Sequence, residues 1–253
     1  QDSSSAASDV YKRQMKSVSI IISIVLAASI LCFAACTPKE SPVEVSVLLD
    51  VTDPFIGQPK TDEILALTNL DDNKWNGANV RFVKITDVEY TTIREARIEK
   101  QRRLMGNDYE RDDEVTAFEE QVAEILEDLQ NDSIGKEFSS VYVPIAKELN
   151  RLAESEGIGK KQVVIYSDLK ENSAVLSLYN KRQWSLLQNH PEQVQEQFLM
   201  ELPLGNLTGI EVHIVFQPMT FGQSQEFKAI SKLYKAMLEA HGANVSVGAN
   251  LII

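Results

Sequence analysis

The chain has 253 residues and carries 25 Lys and Arg against 37 Asp and Glu, a formal net charge of −12. That negative field repels nucleic acid and anionic headgroups, which argues against DNA or RNA as a partner. Two cysteines, Cys32 and Cys36, rule out a disulfide framework and a cysteine zinc site.

In chain order, residues 1–14 fit no signal pattern and read as a translated artefact ahead of the methionine at position 15. Residues 15–35 run from Met15 and Lys16 through an apolar stretch to the small residues Ala34 and Ala35, the layout of a secretory signal. The apolar stretch is near the lower limit for a membrane span, and Thr37-Pro38 breaks any helix directly after it. No basic stop follows.

Ala34-Ala35-Cys36 resembles the lipobox of bacterial lipoproteins, in which cleavage precedes a cysteine that receives diacylglycerol. The resemblance implies a mature chain that starts at Cys36 and is held to the bacterial cell envelope by lipid on that residue. Thr37 stands where an inner-membrane retention aspartate would, which places the chain by resemblance at the outer membrane or periplasmic side. Cys32 then leaves with the signal, and the domain keeps no free thiol.

Residues 36–42 form a short lipidated tether, and 43–253 one α/β domain. Val43–Asp50 is β-branched and almost continuously apolar, as a buried parallel strand is. Ala78–Ile85, Gln162–Tyr166, Ile210–Phe216 and Asn244–Val247 are further predicted strands. Helices are predicted at Thr61–Leu70 and from apolar stripes at Val115–Leu129, Val141–Leu152 and Phe227–Leu238, the last stopped by His241-Gly242. Strands alternating with helices predict a doubly wound, mainly parallel sheet, Rossmann-like in class.

Residues 91–131 are densely charged, basic first (Arg94, Arg97, Lys100, Arg102, Arg103) and then acidic from Glu110 to Asp128. They read as a solvated helical insertion whose charges pair along its own faces, in preference to a hairpin that meets an acidic partner.

Ligands of doubly wound sheets sit beyond the carboxyl ends of the strands, and Asp50 and Asp168 stand at two such ends. Asp50-Val51-Thr52-Asp53-Pro54 and Ser167-Asp168-Leu169 resemble two loops of the von Willebrand factor A domain. That family carries Asp-x-Ser-x-Ser after its first strand, a threonine at a middle helix, and Ser/Thr-Asp-Gly after its fourth strand. The resemblance implies a magnesium site made by Asp50, Thr52, Ser139 or Ser140, and Asp168, with Asp53 as an additional carboxylate. Pro54 replaces the family's second serine, and Leu169 its glycine. Oxygen ligands with an open position suit magnesium, and an acidic group of a protein or peptide partner could complete the sphere. A metal-free structural or assembly lipoprotein that keeps the fold and has lost the site stands as the alternative.

Enzyme readings are weaker. Asp50-Val51-Thr52 also resembles the Asp-x-Asp loop of haloacid dehalogenase-like phosphatases, but Thr52 cannot serve as the second, acid/base aspartate. His190, His213 and His241 have no credible nucleophile beside them in sequence. A hydrolase using Asp50 is thus the least favoured expectation. The loop Phe216–Gly222, after a strand on the same carboxyl edge, could flank a ligand site or only turn the chain.

Overall fold

A computed structural model describes residues 41–50, 58–85, 92–131 and 140–251. Strand β1, Val43–Asp50, is buried at every position. Its odd-numbered side chains, Val43, Val45, Val47 and Leu49, make one face wholly apolar. The other face carries Glu44, Ser46, Leu48 and Asp50. A strand buried on both sides can hold such a polar stripe only if the groups facing it satisfy it.

Around β1 the chain builds a six-stranded sheet in the order β3-β2-β1-β4-β5-β6. The other strands are β2 (Ala78–Ile85), β3 (Ile93–Ile98), β4 (Lys160–Tyr166), β5 (Ile210–Val215) and β6 (Asn244–Gly248). All pairings are parallel except β2 with the edge strand β3. The fold is therefore α/β with a mainly parallel sheet, Rossmann-like and von Willebrand A-like, and its strand order reverses between β1 and β4.

Helices cover both faces. On the apolar face of β1 lie α1 (Thr61–Ala66) and α2 (Asp108–Asn131). There Gln162, level with Val45, donates from Nε2 to the Leu67 carbonyl at 2.8 Å. On the polar face lies α3 (Tyr142–Glu154), whose Glu148 accepts from Ser46. With it pack α5 (Pro191–Glu201) and α6 (Phe221–Ala240), joined to it by a cluster of Tyr142, Phe198 and Tyr234 with the first two rings stacked at 4.6 Å. Helix α4 (Lys181–Asn189) precedes α5 directly. A capping box of Thr220 and Gln223 starts α6, and Gly242, at φ 99°, follows its end.

The charged stretch 91–131 holds the expected helix, and also the edge strand β3, which its sequence does not announce. In β3, Ala96 and Ile98 are buried while Ile93, Arg94, Glu95 and Arg97 face water, the charged pattern an exposed sheet edge tolerates. Helix α2 buries Phe118, Val122, Ile125, Leu126 and Leu129 against this side of the sheet, and Arg94 of β3 pairs with Asp128 of α2 at 2.6 Å.

Residues 40–253 form a unit by themselves, and the apolar core of the described residues runs from Val43 to Leu251 within it. This part therefore holds a complete core of its own. Among the described residues no helix is long and apolar enough to cross a membrane.

Candidate functional site

Strand β1 delivers Asp50 to the carboxyl edge at the point where strand order reverses, and β4 delivers Ser167 and Asp168 beside it. The Ser167 hydroxyl donates to Asp50 Oδ2 at 2.8 Å and accepts the Leu169 amide at 2.8 Å. Asp50 is buried, 5% exposed. Asp168 accepts the Lys170 amide at Oδ1, also at 2.8 Å, the local bond of an Asx turn.

Leu169 closes that turn with φ 61°, in the left-handed region where a leucine is an outlier. Its side chain is fully buried, so core packing holds a backbone that glycine would adopt freely. The glycine of the loop that this turn resembles in sequence would adopt the same left-handed backbone without strain.

Glu171 is the residue that sequence reasoning passed over. It is 2% exposed, and its Oε2 accepts the amides of Val141 and Tyr142 at 2.9 and 2.8 Å. Those are the opening amides of α3, whose N-cap residue, Val141, has no side chain able to cap. A carboxylate from a distant loop supplies the cap and the favourable charge at the positive end of the helix dipole. Burial pushes the Glu171 carboxyl above its ordinary range. The amide bonds and the nearby Ser173 hydroxyl oppose that rise, and the neighbouring Asp50 charge adds to it. The only sequence hint was an acidic residue three places after Asp168, at the end of a buried strand.

Ser140 lies just before that helix, 4% exposed, and its hydroxyl has no hydrogen-bond partner among the described residues. Asp50, Asp168 and Ser140, three of the expected ligands, therefore come to one edge, linked through Ser167 and Glu171. Thr52, Asp53 and Ser139 lie outside the described residues, as do Pro54 and Cys36. Among the described residues no three His, Cys, Asp or Glu side chains gather as a metal-ligating group. Two carboxylates and an orphaned hydroxyl nonetheless fit, as a donor set, an ion such as magnesium that keeps much of its water.

The rim of this edge is apolar and exposed. Val175 and Tyr179 come from the loop after β4, and Met219 and Phe221 from the turn into α6. Lys170 ties the two sides together: its Nζ lies 4.2 Å from the centre of the Tyr179 ring and 2.8 Å from Glu226 of α6. The loop Phe216–Gly222 accordingly flanks the site and also turns the chain.

The histidines stand apart. His213 bonds Ser246 within the sheet at 2.8 Å, and burial lowers its pKa. His241 closes α6 on the Met237 carbonyl, and His190 lies between α4 and α5.

No protein-family model matches the chain, and no curated protein matches it. Among solved structures, the chain is similar to an aerotolerance-related membrane protein from Bacteroides fragilis NCTC 9343 that carries multiple mutations to serines. The two share 14% identity over 81% of this chain and 92% of that one, with a TM-score of 0.37. At that score the likeness carries no argument about the site, and the fold assignment rests on the strand order.

Proposed function

We propose that this is a lipid-anchored binding module of the bacterial envelope that takes a protein or peptide partner at the carboxyl edge of its sheet. The observation that carries the reading is one of place. Buried carboxylates lie at the reversal of strand order, and the loops after β4 and β5 on the same edge leave Val175, Tyr179, Met219 and Phe221 in water. Exposed aromatic and methionine side chains around a polar centre suit a protein surface better than a small metabolite. Magnesium at Asp50, Ser140 and Asp168, with Thr52, Asp53 and Ser139 as further expected ligands, would supply a positive centre for an acidic group of the partner. Lipid on Cys36 would keep the module at the membrane.

A specific observation favours a second, metal-free reading. Asp50 is engaged by the Ser167 hydroxyl, Glu171 by the α3 amides and Asp168 by its own turn, so each carboxylate already has donors. In that reading the edge binds through its apolar rim alone.

A photo-crosslinking residue placed at Phe221 in cells tests the reading, beside a control at Met200, which is equally exposed at the end of α5. A discrete adduct from Phe221 and none from Met200 is expected; equal patterns from both would sink the proposal. Asp168→Ala should abolish the adduct if a metal carries binding and leave it in the metal-free case. Saturable magnesium heat in the unit 40–253 that vanishes in Asp168→Ala would select the first reading. A palmitate analogue that labels the parent and not Cys36→Ala checks the anchor.

A further inference from the structure

The opposite edge of the sheet carries a loop that neither reading uses. β3 runs down from the carboxyl edge, so the segment after Ile98 emerges beside Ala78 and Val43, at the amino edge. The buried Arg111 of α2 holds its base. Its guanidinium donates to the carbonyls of Lys74, Asn76 and Glu99 at 2.5, 2.6 and 3.0 Å. Gln101 adds two anchors, its amide to the Trp75 carbonyl at 2.9 Å and its side chain to Glu114. A Cβ at Gly106 would overlap the Trp75 ring, so the far end is held as closely.

Between these anchors Arg102 to Met105 forms a turn, closed by the Met105 amide on the Arg102 carbonyl at 2.9 Å. Leu104 is 101% exposed and Met105 83%. The core has not failed to cover them; the anchors hold them outward. Beside them stand Lys100, Arg102 and Arg103, all exposed. Three acids that flank the loop in sequence are already paired, Glu99 with Arg97 and both Asp108 and Asp112 with Lys74. Among the described residues none of the three loop cations is in an ion pair.

We propose that this loop, Lys100–Met105, docks the domain on an anionic lipid surface, with Leu104 and Met105 entering the interface and the three cations on headgroup phosphates. Two apolar side chains at the tip of a basic turn suit a bilayer interface, where apolar burial and charge attraction add. Chain length argues for the same occupant. The described chain enters β1 at this edge, and Cys36 stands seven residues before Val43, at most about 25 Å away when extended. A lipid on Cys36 would keep the start of β1, and with it this edge, within reach of the bilayer; in this respect the inference rests on the lipid anchor proposed above.

The net charge of −12 opposes such contact, but salt screens its distant part. Charge interactions decay over about 8 Å at physiological salt, and the acids of the carboxyl edge lie about 23 Å away along β1. The same geometry turns Asp50, Asp168 and the apolar rim away from the membrane, toward a partner.

The test uses the unlipidated unit 40–253 and vesicles of phosphatidylcholine with or without phosphatidylglycerol, by sedimentation. Binding only to the phosphatidylglycerol vesicles, weakened by salt, is expected. Each cation near such a surface raises partitioning about fivefold, so Arg102→Ser with Arg103→Ser should lower it about 25-fold. Leu104→Ser with Met105→Ser should also lower it, and both variants should unfold at the parent's temperature because the altered side chains are exposed. No binding to either vesicle, or binding unchanged in both variants, overturns the proposal. Because this protein carries no lipid, its failure would leave the Cys36 anchor standing, and failure of palmitate labelling would leave the loop result standing.

Discussion

The two ends of the polar face of β1 are built differently, although they lie on one strand only a few residues apart. At the amino end Glu44 and Ser46 meet arginines. Arg151 of α3 lies 2.6 Å from Glu44 and 2.7 Å from Glu148, Ser46 donates to Glu148 at 2.7 Å, and Arg81 of β2 bridges Glu148 and Glu95. At the carboxyl end Asp50 and Glu171 are held by a hydroxyl and by backbone amides. The first arrangement neutralises charge and staples β1 to α3 and β2. The second holds its acidic oxygens through a hydroxyl and the opening amides of a helix. The amino end is thus a joint, and the carboxyl end is where the proposed site lies.

The largest way to break this contrast is Glu148→Ala. It would leave Arg81 and Arg151 without their shared partner, and breaking a buried pair costs about 3 to 5 kcal/mol. Arg151 keeps a third of its side chain in water, so about 3 kcal/mol is expected from urea unfolding. A loss below about 1 kcal/mol would mean that the amino end is not a joint.

Next comes Leu169→Gly at the carboxyl end. Loss of a fully buried leucine costs about 3 kcal/mol, and relief of the left-handed backbone returns about 1 kcal/mol. A net loss of about 2 kcal/mol is expected. A more stable variant would show that backbone strain outweighs packing there.

Asp50→Asn sharpens the comparison in another way. The amide still accepts from Ser167, so stability should move by no more than about 1 kcal/mol. If the site holds magnesium, its binding heat should nevertheless disappear. A large loss of stability without any change in binding would make Asp50 a structural residue only.

The smallest expected effect is in pH. The folded Glu171 has a raised pKa, so the folded state binds a proton more readily than the unfolded chain does. Its contribution to stability is fully present below the unfolded value of about 4.3 and is lost as pH rises through the folded value. Urea midpoints of the parent minus those of Glu171→Gln should therefore fall as pH rises above about 4. A flat difference would mean that the helix amides offset the burial of the charge completely.

Much of the fold was legible because its signals are local. β1 and β2 occupy Val43–Asp50 and Ala78–Ile85, the predicted residues, and β4, β5 and β6 extend or shorten theirs by at most two. The predicted apolar stripes lie on α2, α3 and α6. β3 escaped because an edge strand buries only one face. Ile-Arg-Glu-Ala-Arg-Ile therefore looks like part of a charged helix until β2 and α2 lie beside it. Helices α4 and α5 were not anticipated either: their windows are rich in Gln, and they bury only Leu187, Val194 and Phe198.

The sequence by itself determined the strands, their buried character, and the arrival of Asp50 and Asp168 at carboxyl ends. Period, β-branching and strand termini are properties of neighbours along the chain. Only the tertiary structure decided that Ser167 engages Asp50, that Glu171 caps a helix beginning 29 residues before it, and that Arg111 pins the loop displaying Leu104 and Met105. Those bonds join groups far apart in sequence, and a buried charge finds its partner by where the folded backbone places a donor, which no local pattern encodes.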